Sequence, residues 1–230
     1  MDSNKRSAKI VGLLFIIATV TSSLSIYITE PILKATNLLE AFSDQENKIT
    51  GAAILMLIDA IAVVFIAIWL FPMLKKKSER LAIGYIGMRI MEGVFFAAYV
   101  AAVLAVLSIS KAYSASDTLD TSSFQPIGQS LLSLAEWTFD IGLGIVFTSS
   151  ALILNYLLFR YALVPKWLSV WGFLGALITM TIVLLKFYDM QVSEVLDFVI
   201  GIQEMVFALW LIVKGFNETA IVSEQDHTAT

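Results

Sequence analysis

The chain has 230 residues, of which 58% are hydrophobic and 15% charged, and its mean hydropathy is +0.83. That excludes one ordinary water-soluble domain, in which about a quarter of the residues are charged. A net charge of −4 excludes the basic footprint of a nucleic-acid binder, and the lack of cysteine excludes disulfides, thiolate metal sites and a cysteine nucleophile.

The apolar residues fall in blocks near the ~20 residues that cross a bilayer core as helix, unlike the ~10-residue alternation of a membrane barrel. The expected fold is an all-α membrane protein, a six-transmembrane-helix bundle with spans at about 9–28, 50–71, 81–109, 131–159, 168–187 and 195–213. They form one domain between a short N-terminal segment, 1–8, and a flexible tail, 214–230.

Span one follows KRSAK and ends among Ser22, Ser23 and Ser25, a pattern shared with secretory signal peptides. Its apolar run continues to Ile28, which is long enough to span, so a retained helix is expected. Residues 31–48 set Leu33, Leu38, Leu39 and Phe42 among mixed charges, as in a short helix lying on the membrane surface. Span two carries Asp59, and span three carries Arg89 and Glu92, followed by a small-residue stripe of Gly93, Ala97, Ala101 and Ala105 that suits close helix packing.

Residues 110–129 are rich in Ser, Thr and Asp and predict a flexible surface loop. Span four aligns Glu136, Asp140, Gly144, Thr148, Ala151 and Asn155 on one face, and span six offers Asp197, Gly201, Glu204 and Ala208. Thr19, Thr21, Ser22 and Asn155 are expected to bond their own helix backbones. The single histidine, His227, lies in the polar tail, which leaves paired-histidine haem ligation and histidine catalysis without a basis.

Basic residues near span ends stay on the cytoplasmic side. Lys5, Arg6, Lys9, Lys75, Lys76, Lys77, Arg80, Arg160, Lys166 and Lys214 fall on one side, against Lys34, Lys48, Lys111 and Lys186 on the other. Both termini are therefore expected in the cytoplasm.

Ionisable groups deep in a bilayer are costly and mark functional or tightly packed regions. At 1.5 Å of rise per residue, Asp59, Asp140 and Glu204 lie about 13 Å below the outer ends of their spans and Glu92 about 16 Å above the inner end of its own. All four fall near the middle of a ~30 Å core, with Arg89 about one turn closer to the cytoplasm. The candidate polar site is thus Asp59, Arg89, Glu92, Glu136, Asp140 and Glu204, with Glu136 and Asp197 nearer the outer surface. One arginine cannot neutralise four acids. Protons on some carboxyls, or a bound cation, must supply the difference.

Three phrases carry a resemblance: WLFPMLKKKSERLAIGYIGMRIMEG, LNYLLFRYALVPKWLSVWGFLGA and EMVFALWLIVKGFN. Within them stand Pro72 with Lys75, Arg89 with Glu92, Pro165 with Trp167, and Glu204 with Trp210, Leu211, Lys214 and Gly215. In their order and spacing they resemble the bacterial membrane protein family known as domain of unknown function 4386, over roughly residues 6–217. The resemblance implies a six-helix membrane protein and no particular activity.

Two function classes compete. One is a small transporter or permease whose midplane acids bind a proton, a cation or a small cationic solute; no Gly- or Pro-broken span supports it. The other is a non-catalytic sensor, scaffold or regulatory subunit whose charge cluster fixes helix register, with a second copy or another membrane protein as partner. An enzyme using Glu136 and Asp140 as an acid/base or metal-binding pair has the weakest basis, since no histidine, cysteine or serine–histidine arrangement supports them, and no cofactor is implied.

Overall fold

A computed structural model describes residues 2–116, 123–190 and 198–217. Among them all regular structure is helical: α1 (Asp2–Leu33), α2 (Leu38–Asp44), α3 (Glu46–Lys77), α4 (Glu79–Ser114), α5 (Phe124–Ile141), α6 (Thr148–Arg160), α7 (Lys166–Lys186) and α8 (Phe198–Val213). A π-helical stretch, Gly142–Phe147, joins α5 to α6 in one continuous rod. Asp197, the middle of the loop over 110–129, and the tail beyond residue 217 lie outside the described residues.

Local chemistry explains where the helices stop. Ser78, in an extended conformation, accepts the Leu81 N–H and starts α4 directly after the three lysines that end α3. Pro165 precedes α7, where a missing N–H costs nothing. Gly215 closes α8 at φ +75, with its N–H shared by the Trp210 and Leu211 carbonyls.

Five helical rods are long and apolar enough to cross a membrane, α5 through α6 counting as one. α8 is equally apolar but has 16 residues, roughly 24 Å of helix. The start of the expected sixth span, 195–197, lies outside the described residues. The outer surface is apolar: Ile61 and Val94 are 58% and 61% exposed, and Ile54, Ile68, Leu174 and Leu209 face outward beside them. Such a belt is unstable in water and at home in lipid.

Among the described residues three apolar clusters form, the two larger ones reaching opposite ends of the bundle. At one end Ala8, Leu74, Ala82, Leu163, Leu168 and Phe216 meet, which gathers the start of α1, the α3–α4 and α6–α7 turns and the end of α8. Asn217 N–H donates to the Leu163 carbonyl at 2.9 Å and fastens α8 there. At the other end Ile32, Phe42, Ile49, Val106 and Leu132 form the second core. α4 runs through the middle, packed on α3, α5 and α6, while α1 bridges α3 and α8. A Cβ on Gly93 would lie 2.8 Å from the Ala60 carbonyl oxygen, so α3 and α4 touch backbone to backbone beside Asp59 and Glu92.

Three expectations need correction. The buried face of α4 runs through Glu92, Phe96, Val103 and Val106, whereas Ala97 and Ala101 are exposed. Steps of four residues advance about 400° and drift off a packing face, so the small-residue stripe spirals away from its neighbours after Gly93. α2 buries Leu38, Leu39 and Phe42 within the protein instead of laying them on lipid, held where Ser110 Oγ donates to the Leu39 carbonyl. The loop over 110–129 is largely helical at both ends, because α4 continues to Ser114 and α5 begins at Phe124.

Candidate functional site

The site begins with helical spacing on α4. Tyr85, Arg89 and Glu92 are four and three residues apart and share one face. Arg89, 2% exposed, donates from Nε to Tyr85 Oη at 3.2 Å and from Nη1 to both Glu92 oxygens at 3.2 and 3.3 Å. Its Nη2 lies 3.8 Å from Glu204 Oε1 on α8. The rings of Phe15, Tyr85 and Phe147 stand 5.6, 5.5 and 5.4 Å from the guanidinium carbon. Aromatic faces attract a cation, and most strongly where water is excluded.

Asp59 of α3 is 3% exposed and has Glu92, Glu204 and Arg89 as its charged neighbours. It makes no hydrogen bond or ion pair among the described residues. Glu204 is the most accessible member, with 17% of its side chain exposed. The Thr19 hydroxyl of α1 lies beside it, without the geometry of a hydrogen bond to any described residue. With all groups ionised, three carboxylates and one guanidinium carry a charge of −2, and two protons or a cation would neutralise them.

Asp59, Arg89, Glu92 and Glu204 therefore come together as expected, but Glu136 and Asp140 do not join them. Asp140 pairs with Lys186 at 3.1 Å, their side chains 21% and 34% exposed, and the exposed Glu136 has that pair as its charged neighbours. Depth along a helix does not determine which face a residue occupies. The rod carrying Asp140 meets Arg89 through Phe147, seven residues further on, and Lys186 at the end of α7 reaches Asp140 first.

The π-helical stretch was not anticipated. It seats Phe147 against Arg89; within it lies Gly144, where a Cβ would collide with Val183 of α7 at 2.2 Å, and directly after it comes Thr148, whose hydroxyl bonds the Gly144 carbonyl. Tyr85 was within reach of the helical rule that pairs Arg89 with Glu92. Phe15 and Phe147 had no sequence signal, since aromatic residues on a membrane helix are ordinary.

A small cavity, about 10 Å³ to the centre of a water-sized sphere, lies between α6 and α8 against Arg89, Asn155, Gln203 and Glu204. That is near the threshold for one water molecule. Asn155 Nδ2 donates to the Ala151 carbonyl at 2.9 Å as expected, but its Oδ1 is buried without a partner among the described residues. Thr21 and Ser22 bond the carbonyls of Ile17 and Ala18, also as expected.

No curated protein and no solved structure matches the chain. The family model for a domain of unknown function, DUF4386, matches residues 10–215, which take in Asp59, Arg89, Glu92, Glu204 and every aromatic residue around the guanidinium. The chain is a polytopic helical membrane protein that belongs to the DUF4386 family.

Proposed function

We propose that the chain is a six-span transporter of the bacterial cytoplasmic membrane, with both termini in the cytoplasm, whose site at Asp59, Arg89, Glu92 and Glu204 binds a proton or a small cation. α8 is read as the sixth span. The basic residues from Lys5 to Lys9, Lys75 to Arg80, Arg160, Lys166 and Lys214 share the end where α1 starts and α8 stops, which supports the orientation.

The observation that carries the functional reading is Asp59. A scaffold gains little from a buried acid that closes no hydrogen bond or ion pair among the described residues and shares its one nearby cation, Arg89, with two more acids, because its desolvation is poorly compensated. A binding site needs that surplus. The π-helical stretch lends further support, since such irregularities recur at functional positions and Phe147 couples this one to Arg89. The small cavity touches Arg89 and Glu204 but not Asp59 or Glu92, and its size, near that of one water, favours a proton or a monatomic cation over a larger solute at that edge of the site.

One observation favours the alternative, a scaffold or regulatory subunit: Arg89 is held by Glu92, Tyr85, Glu204 and three rings, as a fixed structural pin would be. Thermal unfolding of the purified protein with and without Na⁺, K⁺ and Li⁺ across pH separates the two. Stabilisation that Asp59→Asn and Glu204→Gln abolish supports transport. A protein indifferent to pH and cations, and destabilised by both substitutions, supports the scaffold.

A further inference from the structure

At the basic end of the bundle a second cavity, about 400 Å³, lies between the α6–α7 turn and the end of α8. Its volume is within the range of sites that hold small organic ligands. The turn contributes Ala162 to Lys166, and α8 contributes Trp210 and Lys214 to Asn217. The two walls are tied together: Asn217 donates its backbone N–H to Leu163 and its side-chain amide to Ala162, at 2.9 and 3.2 Å. Ala162, at φ 49, and Gly215, at φ 75, hold the chain reversals on either side. The cavity is therefore built into the fold.

Its chemistry is one-sided. Lys166 and Lys214 are both exposed, and neither pairs with an acid among the described residues, whereas Lys75 at the same end is paired with Glu79 at 2.9 Å. Lys166 instead lies over the Phe159 ring at 5.5 Å, which leaves its positive charge uncancelled. Leu163, Val164 and Phe216 form an apolar floor, and Trp210 is half-buried at the rim. Two cations above an apolar floor with an interfacial tryptophan match a group that has a phosphate at one end and hydrocarbon at the other.

We propose that this cavity binds an anionic phosphate group, either the headgroup of an anionic phospholipid or soluble phosphate, with Lys166 and Lys214 as its counter-charges. The site is separate from the buried acids and does not depend on the transport reading. The membrane is the favoured source, because inorganic phosphate makes no use of the apolar floor.

The test is thermal unfolding of the full chain in a neutral detergent with phosphatidylglycerol, phosphatidylcholine or inorganic phosphate added, for wild type, Lys166→Gln with Lys214→Gln, and the control Lys75→Gln with Lys76→Gln. The expected result is a Tm rise of about 5 °C with phosphatidylglycerol in wild type and control, and under about 1 °C in the cavity variant. An equal rise with inorganic phosphate, lost in the same variant, assigns the site to soluble phosphate and keeps the proposal. No rise with either anion, an equal rise with phosphatidylcholine, or a rise that survives in the cavity variant overturns it. The substituted lysines are exposed, so the variants keep the fold.

Discussion

Charge counting at the buried site predicts an asymmetry between its members. Arg89→Gln removes the one cation that contacts Glu92 at 3.2 Å and Glu204 at 3.8 Å and leaves three buried acids facing each other. At these distances a charge pair in an effective dielectric of about 20 interacts by about 4–5 kcal/mol, and breaking a buried pair by removing one partner costs about 3–5 kcal/mol. Glu92→Gln removes one of three acids, and the guanidinium keeps Glu204, Tyr85 and the three rings. Its cost is expected to stay below about 1.5 kcal/mol, the worth of one ordinary hydrogen bond. Asp59→Asn breaks no hydrogen bond or ion pair among the described residues, and the repulsion it removes from two acids outweighs the attraction it loses to Arg89, so it is expected to be neutral or to stabilise by about 1 kcal/mol. Chemical unfolding of the three variants in detergent, followed by the fluorescence of the native tryptophans, gives the comparison. A loss in Glu92→Gln or Asp59→Asn as large as in Arg89→Gln would refute the reasoning, because it would mean that each acid is a stoichiometric structural partner.

Further outcomes follow from the same geometry. Lys186→Gln is expected to cost under about 1 kcal/mol, since its pair with Asp140 is partly exposed, and to leave the cation response of wild type intact; both are read by thermal unfolding. Gly93→Val places atoms where the Ala60 carbonyl and Val64 already lie and is expected to destabilise by about 1–3 kcal/mol in the same assay. Because the natural chain has no cysteine, single replacements report sidedness without background. In intact cells an impermeant maleimide is expected to label Thr36→Cys, and to reach Lys76→Cys and Asn217→Cys only after lysis.

Hydropathy located the five rods long enough to cross a membrane and the shorter apolar helix α8, because a bilayer demands long apolar runs and leaves few other ways to satisfy the backbone. The same signal understated their lengths: α3 and α4 extend past the apolar runs to Lys77 and Ser114, where polar residues continue the helix. The pairing of Arg89 with Glu92, and the nearness of Asp59 and Glu204, were legible because charge in lipid must converge. Which face each acid occupies was not. Asp140 turned to Lys186, and Ala97 turned outward, since a helical register inferred over several turns accumulates drift that only neighbouring helices resolve. The π-helical stretch was hidden for a related reason: it answers to packing of Gly144 on Val183 and of Phe147 on Arg89, contacts between residues far apart in the chain.

The central claim is that the surplus acids bind a proton or a small cation during transport. Purified protein in sealed vesicles, with an internal dye for pH or for the cation and an imposed membrane potential, tests it most directly. Wild type is expected to carry a flux that Asp59→Asn abolishes while unfolding at the wild-type temperature or above. An equal flux in Asp59→Asn, or no flux above empty vesicles for protons, Na⁺, K⁺ or Li⁺, would contradict it.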